Sequence, residues 1–367
     1  MEIYNWQKKG WPHFTFAEDA VENELFAFAE KTGMVGGMLK AMPEAVQMET
    51  LINIMVSEAI KTSEIEGEFL SRADVISSVR KNMGLVSEIP VKDKRAKGVG
   101  ELMIKVRNAF AAPLSEKMLF DWHSLLMNYK KDMETGQWRT QNEPMQVISG
   151  AIGKIKVHFE APPSEAVPAE MQRFIEWFNA TAPGGPKEIT KAPIRSAIAH
   201  LYFESVHPFE DGNGRIGRAI AEKALSQGLG RPVLLSLSKA IERDKKTYYS
   251  ELEKASRTLK ITPWVKYFVK TILSAQTDAK AEIDFTLKKV KFFDKYGTLL
   301  NERQLKVVKR MLDEGPKDFA GGMNAKKYSG LCKVSKATAT RDLQHLAEIK
   351  AFLVTGQGRS TSYQVNI

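Results

Sequence analysis

The stretch HPFEDGNGRIGR, residues 207–218, combines a histidine, two acids, an asparagine and two arginines with closely spaced glycines. Four kinds of structure use such residues at such short spacing: a dinucleotide-binding turn, a metal site, a catalyst that handles phosphate groups, or a plain turn. The sequence on either side of the stretch decides among them.

The spacing of glycines in GNGRIG, residues 212–217, is typical of a dinucleotide-binding turn, but only when a strand precedes it and a helix follows. Here the preceding residues, which end at Val206, have helical periodicity. The sequence contains no G-x-x-x-x-G-K-[ST] phosphate loop. A zinc site at His207, Glu210 and Asp211 is also disfavoured, because adjacent positions lack the ligand spacing of a helix face.

A helix is predicted directly after Asn213, in the run GRIGRAIAEKALSQGLG, which ends in glycine as helices often do. Free N–H groups at a helix start bind anions, and glycines let a ligand approach closely. Arg215 and Arg218 are three residues apart and project on one side of the first turn. Arginines there oppose the helix dipole, and a polyanionic ligand reverses this unfavourable effect. The pattern therefore predicts a site for a di- or triphosphate.

Two further side chains of the stretch suit phosphate chemistry. Asp211 would place a carboxylate beside the phosphates, an arrangement in which Mg²⁺ is commonly held. His207 can remove a proton from an attacking hydroxyl near neutral pH. Each has a simpler explanation, since His207 could be a buried structural histidine and Asp211 a helix cap. Their combination with two arginines favours the chemical interpretation.

The stretch resembles the signature of the Fic family, HPFx[DE]GNGRxxR, and matches it at every defined position. The resemblance covers roughly residues 96–285 and implies transfer of a nucleotide monophosphate, usually AMP from Mg-ATP, to a hydroxyl of a target protein. It implies that His207 is the general base, that Asp211 binds Mg²⁺, and that Arg215 and Arg218 bind the β- and γ-phosphates. The other loop residues implied to contact the nucleotide are Gly212, Asn213, Gly214, Ile216 and Gly217.

Two segments outside the stretch also resemble parts of this family. The run TGQWRTQNEPMQVISG leads into a flap that, by resemblance, aligns a target protein by strand addition along residues 147–160. The flap residues expected near the nucleotide are Val147, Ile148, Ser149 and Gly150. The run RDKKTYYSELEKAS resembles the adenosine side of the family's site and makes Tyr248, Tyr249 and Ser256 candidates for base or ribose contacts. The alternative is that the tyrosines are core residues of a helix.

The run KTSEIEGEFL resembles the family's inhibitory motif, [ST]-x-x-x-E-[GN], at Thr62, Glu66 and Gly67. The resemblance implies that Glu66 pairs with Arg218 and occupies the space that the γ-phosphate needs. Because the motif precedes the catalytic residues in the same chain, the inhibition would be intramolecular. The simpler alternative is an ordinary solvated glutamate near a helix end.

The chain is predicted to be mainly helical, with three regions. The N-terminal helical region with the inhibitory helix spans residues 1–95, and the Fic-type helical core with its β-hairpin flap spans residues 96–285. A C-terminal domain spans residues 286–367. The hairpin is predicted from the alternating run EPMQVISGAIGKIKVHFEAPP. The aromatic residues expected to form a small core against the inhibitory helix are Trp6, Trp11, Phe14 and Phe16.

Most of the chain's net charge lies in the C-terminal domain. From Thr286 onward there are sixteen Lys and Arg against seven Asp and Glu, out of a net charge of +10 for the whole chain. Three predicted helices followed by two strands around GQG resemble a bacterial winged helix-turn-helix domain. DNA is a candidate partner through the helix at 335–349, and a protein-interaction module is the alternative. The side chains that would face the major groove are Lys336, Thr338, Thr340, Arg341 and Gln344.

The composition predicts a cytoplasmic protein that does not enter a membrane. No apolar run approaches the roughly 18 residues of a membrane span, and Cys332, the single cysteine, cannot form an internal disulfide. The favoured function is an auto-inhibited protein adenylyltransferase that uses ATP and Mg²⁺, with a homodimer as a further candidate assembly. The alternatives are removal of AMP or transfer of another phosphate-linked group by the same loop, and a DNA-binding regulator whose core senses nucleotide.

Overall fold

Helices make up most of the chain, as the sequence predicts. The computed structural model describes residues 3–86, 90–149, 156–312 and 319–367. The helices within these ranges are α1 (Glu22–Lys40), α2 (Glu44–Ile65), α3 (Arg72–Asn82), α4 (Lys94–Asn108), α5 (Glu116–Met127), α6 (Val167–Ala180), α7 (Ala192–Val206), α8 (Asn213–Gly228), α9 (Leu237–Arg243), α10 (Lys245–Ala255), α11 (Thr262–Tyr296), α12 (Glu302–Leu312), α13 (Ala325–Cys332) and α14 (Lys336–Glu348). The strands are β1 (Gln146–Ser149), β2 (Lys156–Glu160), β3 (Phe352–Thr355) and β4 (Ser362–Val365).

Many of these helices begin where a short polar side chain accepts a hydrogen bond from the first turn. Ser115, for example, accepts from the Met118 N–H at 3.2 Å and starts α5. Such a cap contributes about 1 kcal/mol. α8 begins differently, because Gly212 precedes it with φ of +81° and offers no side chain as a cap. The first turn of α8 is therefore left without a side-chain partner at its cap.

The Cα packing divides the chain into two compact units. One comprises Met1–Gly36 and Met48–Ala279, and the other comprises Gly37–Gln47 and Lys280–Ile367. The domain limits expected from the sequence, after residues 95 and 285, stay predictions.

The first unit is built around α7. Every residue of this helix from Ala192 to Val206 is buried, which is typical of a helix at the centre of a fold. α7 packs most extensively against α8, and hydrophobic clusters lie on both sides of the pair. Because α7 and α8 are so firmly packed, the loop that joins them, residues 207–212, has two rigid ends.

The N-terminal aromatic residues pack on α7 and on the hairpin. The ring of Trp11 meets Tyr202 of α7 edge-on, with ring centroids 5.1 Å apart. Trp6 donates from its Nε1 to the carbonyl of Glu160 at 2.8 Å. The sequence predicted packing against the inhibitory helix. Trp11 and Phe14 pack against a hydrophobic cluster that includes Val56 of α2 as well as Tyr202 of α7, whereas Trp6 contacts β2.

The predicted β-hairpin is present as the antiparallel pair β1 and β2. Val147 pairs with Phe159 and Ile148 pairs with Val157, with an irregularity in the register between the two pairs. The hairpin is fixed at its base, because Phe159 packs edge-on against Tyr4 at 5.1 Å and His158 Nδ1 lies 2.7 Å from Glu253 Oε2 of α10. The tip of the hairpin, residues 150–155, lies outside the described residues.

The second unit contains α12, α13, α14 and the antiparallel hairpin of β3 and β4. Its core includes Val307, Leu343 and Phe352, each almost completely buried. Asp342 of α14 ties the helices together by accepting from the hydroxyl of Tyr328 at 2.8 Å and from Arg303 Nε at 2.9 Å. The order of three helices and a hairpin matches the predicted elements, and the winged-helix assignment stays a prediction.

None of the described helices has both the length and the apolar character that a membrane span requires.

Candidate functional site

The loop between α7 and α8 is held in shape by two of its own residues. His207 ends α7 in the left-handed conformation, with φ of 50°. Asn213, the first residue of α8, accepts a hydrogen bond from the Phe209 N–H at 2.9 Å and donates one to the Phe209 carbonyl at 2.8 Å. The amide side chain of Asn213 is therefore committed to closing the loop.

A buried histidine on α5 packs against the loop. The ring of His123, on α5, stacks on Phe209 with centroids 4.1 Å apart and 6° between the planes. Burial lowers the pKa of His123 to about 4, so the ring is neutral at pH 7. Its Nδ1 accepts from the Gly136 N–H at 2.9 Å, and its Nε2 lies 3.2 Å from the Asp211 carbonyl. The proton therefore lies on Nε2, which donates to the loop.

A buried arginine connects the loop to the end of the hairpin. The Arg139 Nε donates to the His207 carbonyl at 2.8 Å, and its Nη1 donates to Ser164 Oγ at 2.9 Å. Burial lowers the pKa of Arg139 to about 10, which leaves the side chain charged at neutral pH. The guanidinium thus fixes the backbone of His207 relative to the segment that follows β2.

Arg218 is buried and paired with the end of α2. Its Nη2 lies 2.7 Å from Glu66 Oε1 and donates to the Thr62 carbonyl at 2.9 Å, while its Nε donates to Thr62 Oγ1 at 2.8 Å. Burial opposes the charge of the guanidinium, but the ion pair with Glu66 outweighs it and raises the pKa of Arg218. The ion pair expected between Glu66 and Arg218 is thus present in the structure, and Thr62 of the same motif adds two hydrogen bonds to Arg218.

The carboxylate of Glu66 lies against the first turn of α8. A Cβ added at Gly214 would lie 2.3 Å from Glu66 Oε1, so only glycine leaves room for the carboxylate there. The start of a helix is where anions bind, and the carboxylate takes that position. Gly67, with φ of +80°, turns the chain directly after Glu66.

Arg215 is held by a second glutamate of the same segment. The Arg215 Nη1 lies 2.9 Å from Glu68 Oε2, and the other oxygen of Glu68 accepts from the Tyr129 hydroxyl at 2.6 Å. The side chain of Arg215 is only 3% exposed. Neither Glu68 nor Tyr129 was predicted from the sequence, although an acid two residues after Glu66 is a visible signal.

Asp211 carries a negative charge that Lys130 balances. Burial alone would raise the pKa of Asp211, but the hydrogen bonds from Lys130 Nζ and the Gly212 N–H lower it further than burial raises it. The described residues contain no cluster of three or more metal-binding side chains. A single carboxylate beside bound phosphates is nevertheless a normal Mg²⁺ donor set, so Asp211 fits this ion if Lys130 moves away.

Three charged residues of the stretch 207–218, all of them predicted to bind the nucleotide or its metal ion, share one property. Each is paired with an opposite charge from outside the stretch 207–218: Asp211 with Lys130, Arg215 with Glu68, and Arg218 with Glu66. Two carboxylates and one ammonium group thus lie on the groups that were predicted to bind phosphates and a cation.

Other predicted site residues lie in packing positions. Ile216 is completely buried in the hydrophobic core, and Gly217 faces α7. Tyr248 is buried with its hydroxyl 2.8 Å from His200 Nε2. Ser256 is buried, donates to the Glu253 carbonyl at 2.8 Å and caps the end of α10. The hydroxyl groups of Tyr248 and Ser256 therefore already have hydrogen-bond partners within the protein.

The remaining predicted residues lie at more open positions. Tyr249 is 38% exposed, and burial together with the nearby Glu66 raises its pKa. Ile148 on β1 is 53% exposed, and Val147 pairs with β2. Ser149 ends β1, and Gly150 lies outside the described residues. Of the residues predicted to contact adenosine, Tyr249 is thus the one that is both partly exposed and close to the ion pair of Glu66 with Arg218.

Comparison with known proteins identifies this loop. A family model described as Fic/DOC family matches residues 113–225, which include α7, the loop and most of α8. Residues 113–225 thus form a Fic/DOC family domain. A second model, described as Domain of unknown function (DUF4172), matches residues 4–85, which include the end of α2 with Glu66.

Curated relatives match part of the chain. It is 28% identical over 153 residues to protein adenylyltransferase fic-1 of Caenorhabditis elegans, which is 41% of this chain and 26% of the relative. It is 28% identical over 118 residues to a probable protein adenylyltransferase of Aquifex aeolicus, which is 32% of this chain and 33% of the relative. The chain thus spans about a quarter to a third of these relatives.

A solved structure shares the fold over nearly the whole chain. The crystal structure of a Fic family protein from Desulfovibrio desulfuricans G20 superimposes with a TM-score of 0.57 at 20% sequence identity. The superposition covers 97% of this chain and 98% of that chain.

Proposed function

We propose that the protein transfers AMP from ATP to a hydroxyl group of a target protein, and that Glu66 restrains this activity. The observation that carries the proposal is the position of Glu66, whose carboxylate lies both on Arg218 and on the first turn of α8. A carboxylate at that place copies the charge of a phosphate. The names of the relatives as protein adenylyltransferases support AMP transfer as the reaction.

In the proposed reaction His207 accepts the proton of the target hydroxyl. The hydroxyl oxygen then forms a bond to the α-phosphorus, and the bond from that phosphorus to the leaving pyrophosphate breaks. Arg215 and Arg218 stabilise the charge that develops on the pyrophosphate. Asp211 would hold Mg²⁺, which when bound neutralises phosphate charge.

The proposed inhibition follows from competition for the arginines. A phosphate group and the carboxylate of Glu66 cannot occupy the same space beside Gly214, and Arg218 cannot pair fully with both. Glu68 competes in the same way for Arg215. ATP would therefore bind productively only after the end of α2 has moved or its carboxylates have been removed.

Self-labelling with ATP that carries a labelled α-phosphate tests the proposal. We expect Glu66→Gly to increase labelling about tenfold or more, because each 1.4 kcal/mol of lost competition is a factor of ten. His207→Ala in the same background should abolish the label, because the base is missing. The matched control is Glu64→Gly, which makes the same change in the last turn of α2 but removes an ion pair with Lys61 instead. Equal labelling of the Glu66 and Glu64 variants would contradict the proposed inhibition.

We further propose that the target protein adds a strand to the hairpin. Ile148 and Val157 are 53% and 37% exposed, although both are apolar residues of β1 and β2. The hairpin is fixed at its base through His158 and Glu253. Exposed apolar side chains on a firmly anchored hairpin favour strand addition.

A second function, DNA binding, is proposed for the C-terminal unit because of its charge and the exposed face of α14. Lys336, Arg341 and Gln344 are exposed, while Leu343 and Leu346 on the opposite face are buried. The hydroxyls of the two predicted threonine contacts form hydrogen bonds at the start of the helix itself, Thr338 with Ser335 and Thr340 with the Lys336 carbonyl.

A gel shift with mixed-sequence duplex DNA tests this second proposal. Because the binding would rest on phosphate contacts, we expect retardation at low salt that disappears as the salt concentration rises. Arg341→Ala should weaken it. No retardation at low salt would contradict DNA binding.

A further inference from the structure

A buried glutamate lies beside the proposed catalytic base. Glu204 is on the last turn of α7, three residues before His207, and its Oε2 lies 3.6 Å from His207 Nδ1. The two side chains are 8% and 14% exposed. Among the described residues, neither His207 Nδ1 nor Glu204 Oε1 has a hydrogen-bond partner. An unpaired polar atom in the interior is unfavourable, and a hydrogen bond from Nδ1 to the nearby Oε2 would satisfy the imidazole nitrogen.

The groups around Glu204 keep it ionised. Burial by itself would raise the pKa of Glu204, but His207 and His200 on α7 and Arg218 on α8 together lower it. The other titratable groups that face this cluster are Tyr248 and Tyr249 of α10 and Glu66, directly after α2. The hydroxyl of Tyr248 is bound to His200, and Glu66 is bound to Arg218. The carboxylate is therefore a negative charge held in a low-dielectric interior beside the imidazole.

The third glycine of the loop sequence makes room for this carboxylate. A Cβ added at Gly217 would lie 2.3 Å from Glu204 Oε1 and 3.2 Å from the ring of His200. α8 is regular at this position, so the glycine is needed for space rather than for backbone conformation. Gly217 thus has an explanation that does not involve contact with the nucleotide.

We propose that Glu204 is a positioning residue for His207. Its carboxylate accepts a hydrogen bond from Nδ1–H of the imidazole and so leaves Nε2 as the nitrogen that accepts the proton of the target hydroxyl. The inference rests on the proposed function. Glu204 stays unprotonated throughout and stabilises the imidazolium ion that forms, as acids paired with catalytic histidines do. The 3.6 Å separation is long for a hydrogen bond, and such contacts often tighten when the substrate binds.

The kinetic test compares Glu204→Gln with its parent in the Glu66→Gly background. Glutamine keeps the shape and removes the charge. We expect kcat to fall by about 10²- to 10⁴-fold, by analogy with amide substitution of a triad acid, with little change in the KM for ATP. The acidic limb of the kcat/KM profile should move to lower pH, because the lost carboxylate no longer favours the imidazolium form.

Two control variants separate positioning from general damage. Glu204→Asp retains the charge and should recover part of the lost rate. Glu170→Gln removes the charge of an equally buried glutamate that binds Trp11 and Arg173, and it should leave the pH profile unchanged. An unshifted profile in Glu204→Gln, or an equal shift in Glu170→Gln, overturns the proposal.

NMR titration of ¹⁵N-labelled histidine gives a readout that needs no catalysis. In the unsubstituted protein the ring of His207 should be in the Nδ1–H form, and Glu204→Gln should mix its two tautomers. A response in His200 alone overturns the proposal. If Glu66→Gly transfers no AMP while His207 responds as expected, the proposed function fails and the pairing of Glu204 with His207 stands.

Discussion

At the scale of single residues, each of the three glycines of HPFEDGNGRIGR is required for a different physical reason. Gly212 has φ of +81° and forms the turn into α8. Gly214 leaves room for the carboxylate of Glu66 in this structure, and Gly217 leaves room for that of Glu204. From the sequence, all three are predicted to contact the nucleotide, because spacing alone does not distinguish a glycine in a turn from one at a close approach between helices.

A second residue, His123, makes the stability of the loop sensitive to acid. Its pKa is about 4 in the folded protein and near 6.5 when unfolded, so the unfolded chain takes up the proton first. Its contribution to stability is complete above pH 6.5 and is lost as the pH falls from 6.5 towards 4. Over that range the loss is about 3 kcal/mol, at 1.36 kcal/mol per pKa unit.

Urea unfolding of His123→Gln tests this contribution. Between pH 7.5 and pH 5 the free energy of unfolding should fall by about 2 kcal/mol less in the variant than in the unsubstituted protein. The buried His200 is present in both proteins, so its own titration cancels in the comparison. An identical pH dependence of the two proteins would argue against the buried neutral state of His123.

At the scale of elements, the end of α2 supplies both carboxylates that hold the arginines. Glu66 follows the helix directly, and Glu68 lies two residues further on, with Gly67 between them at positive φ. The turn at Gly67 thus separates the two acids, which reach Arg218 and Arg215 respectively.

Glu68→Gln in the Glu66→Gly background should lower the KM for ATP severalfold. Arg215 would no longer have to break its ion pair with Glu68 before it binds a phosphate. A hydrogen bond to a charged group contributes roughly 1 kcal/mol or more, which corresponds to a severalfold change in affinity. Initial rates of self-labelling against ATP concentration measure this effect. Glu64→Gln serves as the control, and a KM that stays the same or rises would contradict the role of Glu68.

The sequence predicted the helices, the loop and the ion pair of Glu66, but not the other two ion pairs that involve the stretch 207–218. The helices were predictable because amphipathic periodicity and polar caps such as Ser115 are local signals. Glu66 was predictable because its motif is contiguous. Lys130 and Glu68 reach Asp211 and Arg215 across 81 and 147 residues, and no local pattern encodes such pairings.

The two adjacent tyrosines of α10 show the same limit. Consecutive residues of a helix point about 100° apart, so at most one of them can face a given site. The structure buries Tyr248 against His200 and leaves Tyr249 38% exposed. Their order along the chain carries no signal for which of the two is buried, because both are tyrosine.

At the scale of the molecule, the N-terminal segment completes the core of the first unit. Asn5 is completely buried, its N–H donates to the Ser256 carbonyl at 2.7 Å and its Nδ2 donates to Ser205 Oγ at 2.8 Å. Trp11 Nε1 donates to Glu170 Oε2 at 2.9 Å. The same short segment thus forms hydrogen bonds with residues on α6, on α7 and at the end of α10, which are distant from one another in the chain.

We therefore expect Asn5→Ala to destabilise the first unit as a whole. Loss of the Asn5 amide leaves buried polar groups without partners, which lowers the free energy of unfolding by about 1–3 kcal/mol. Circular dichroism and tryptophan fluorescence in urea should shift together. Asn142→Ala, at an exposed position, should change the free energy of unfolding by less than about 0.5 kcal/mol, and an equally small effect at Asn5 would contradict this role.

The acids that cover the arginines belong to a different part of the chain from the groups proposed to carry out chemistry. Glu66 and Glu68 lie at the end of α2, whereas His207, Arg215 and Arg218 belong to α7, α8 and their loop. Substitutions in one short stretch can therefore alter the proposed inhibition and leave the groups proposed for catalysis unchanged. Relatives in which the proposed inhibition is weaker are expected to differ from this chain first at the end of α2.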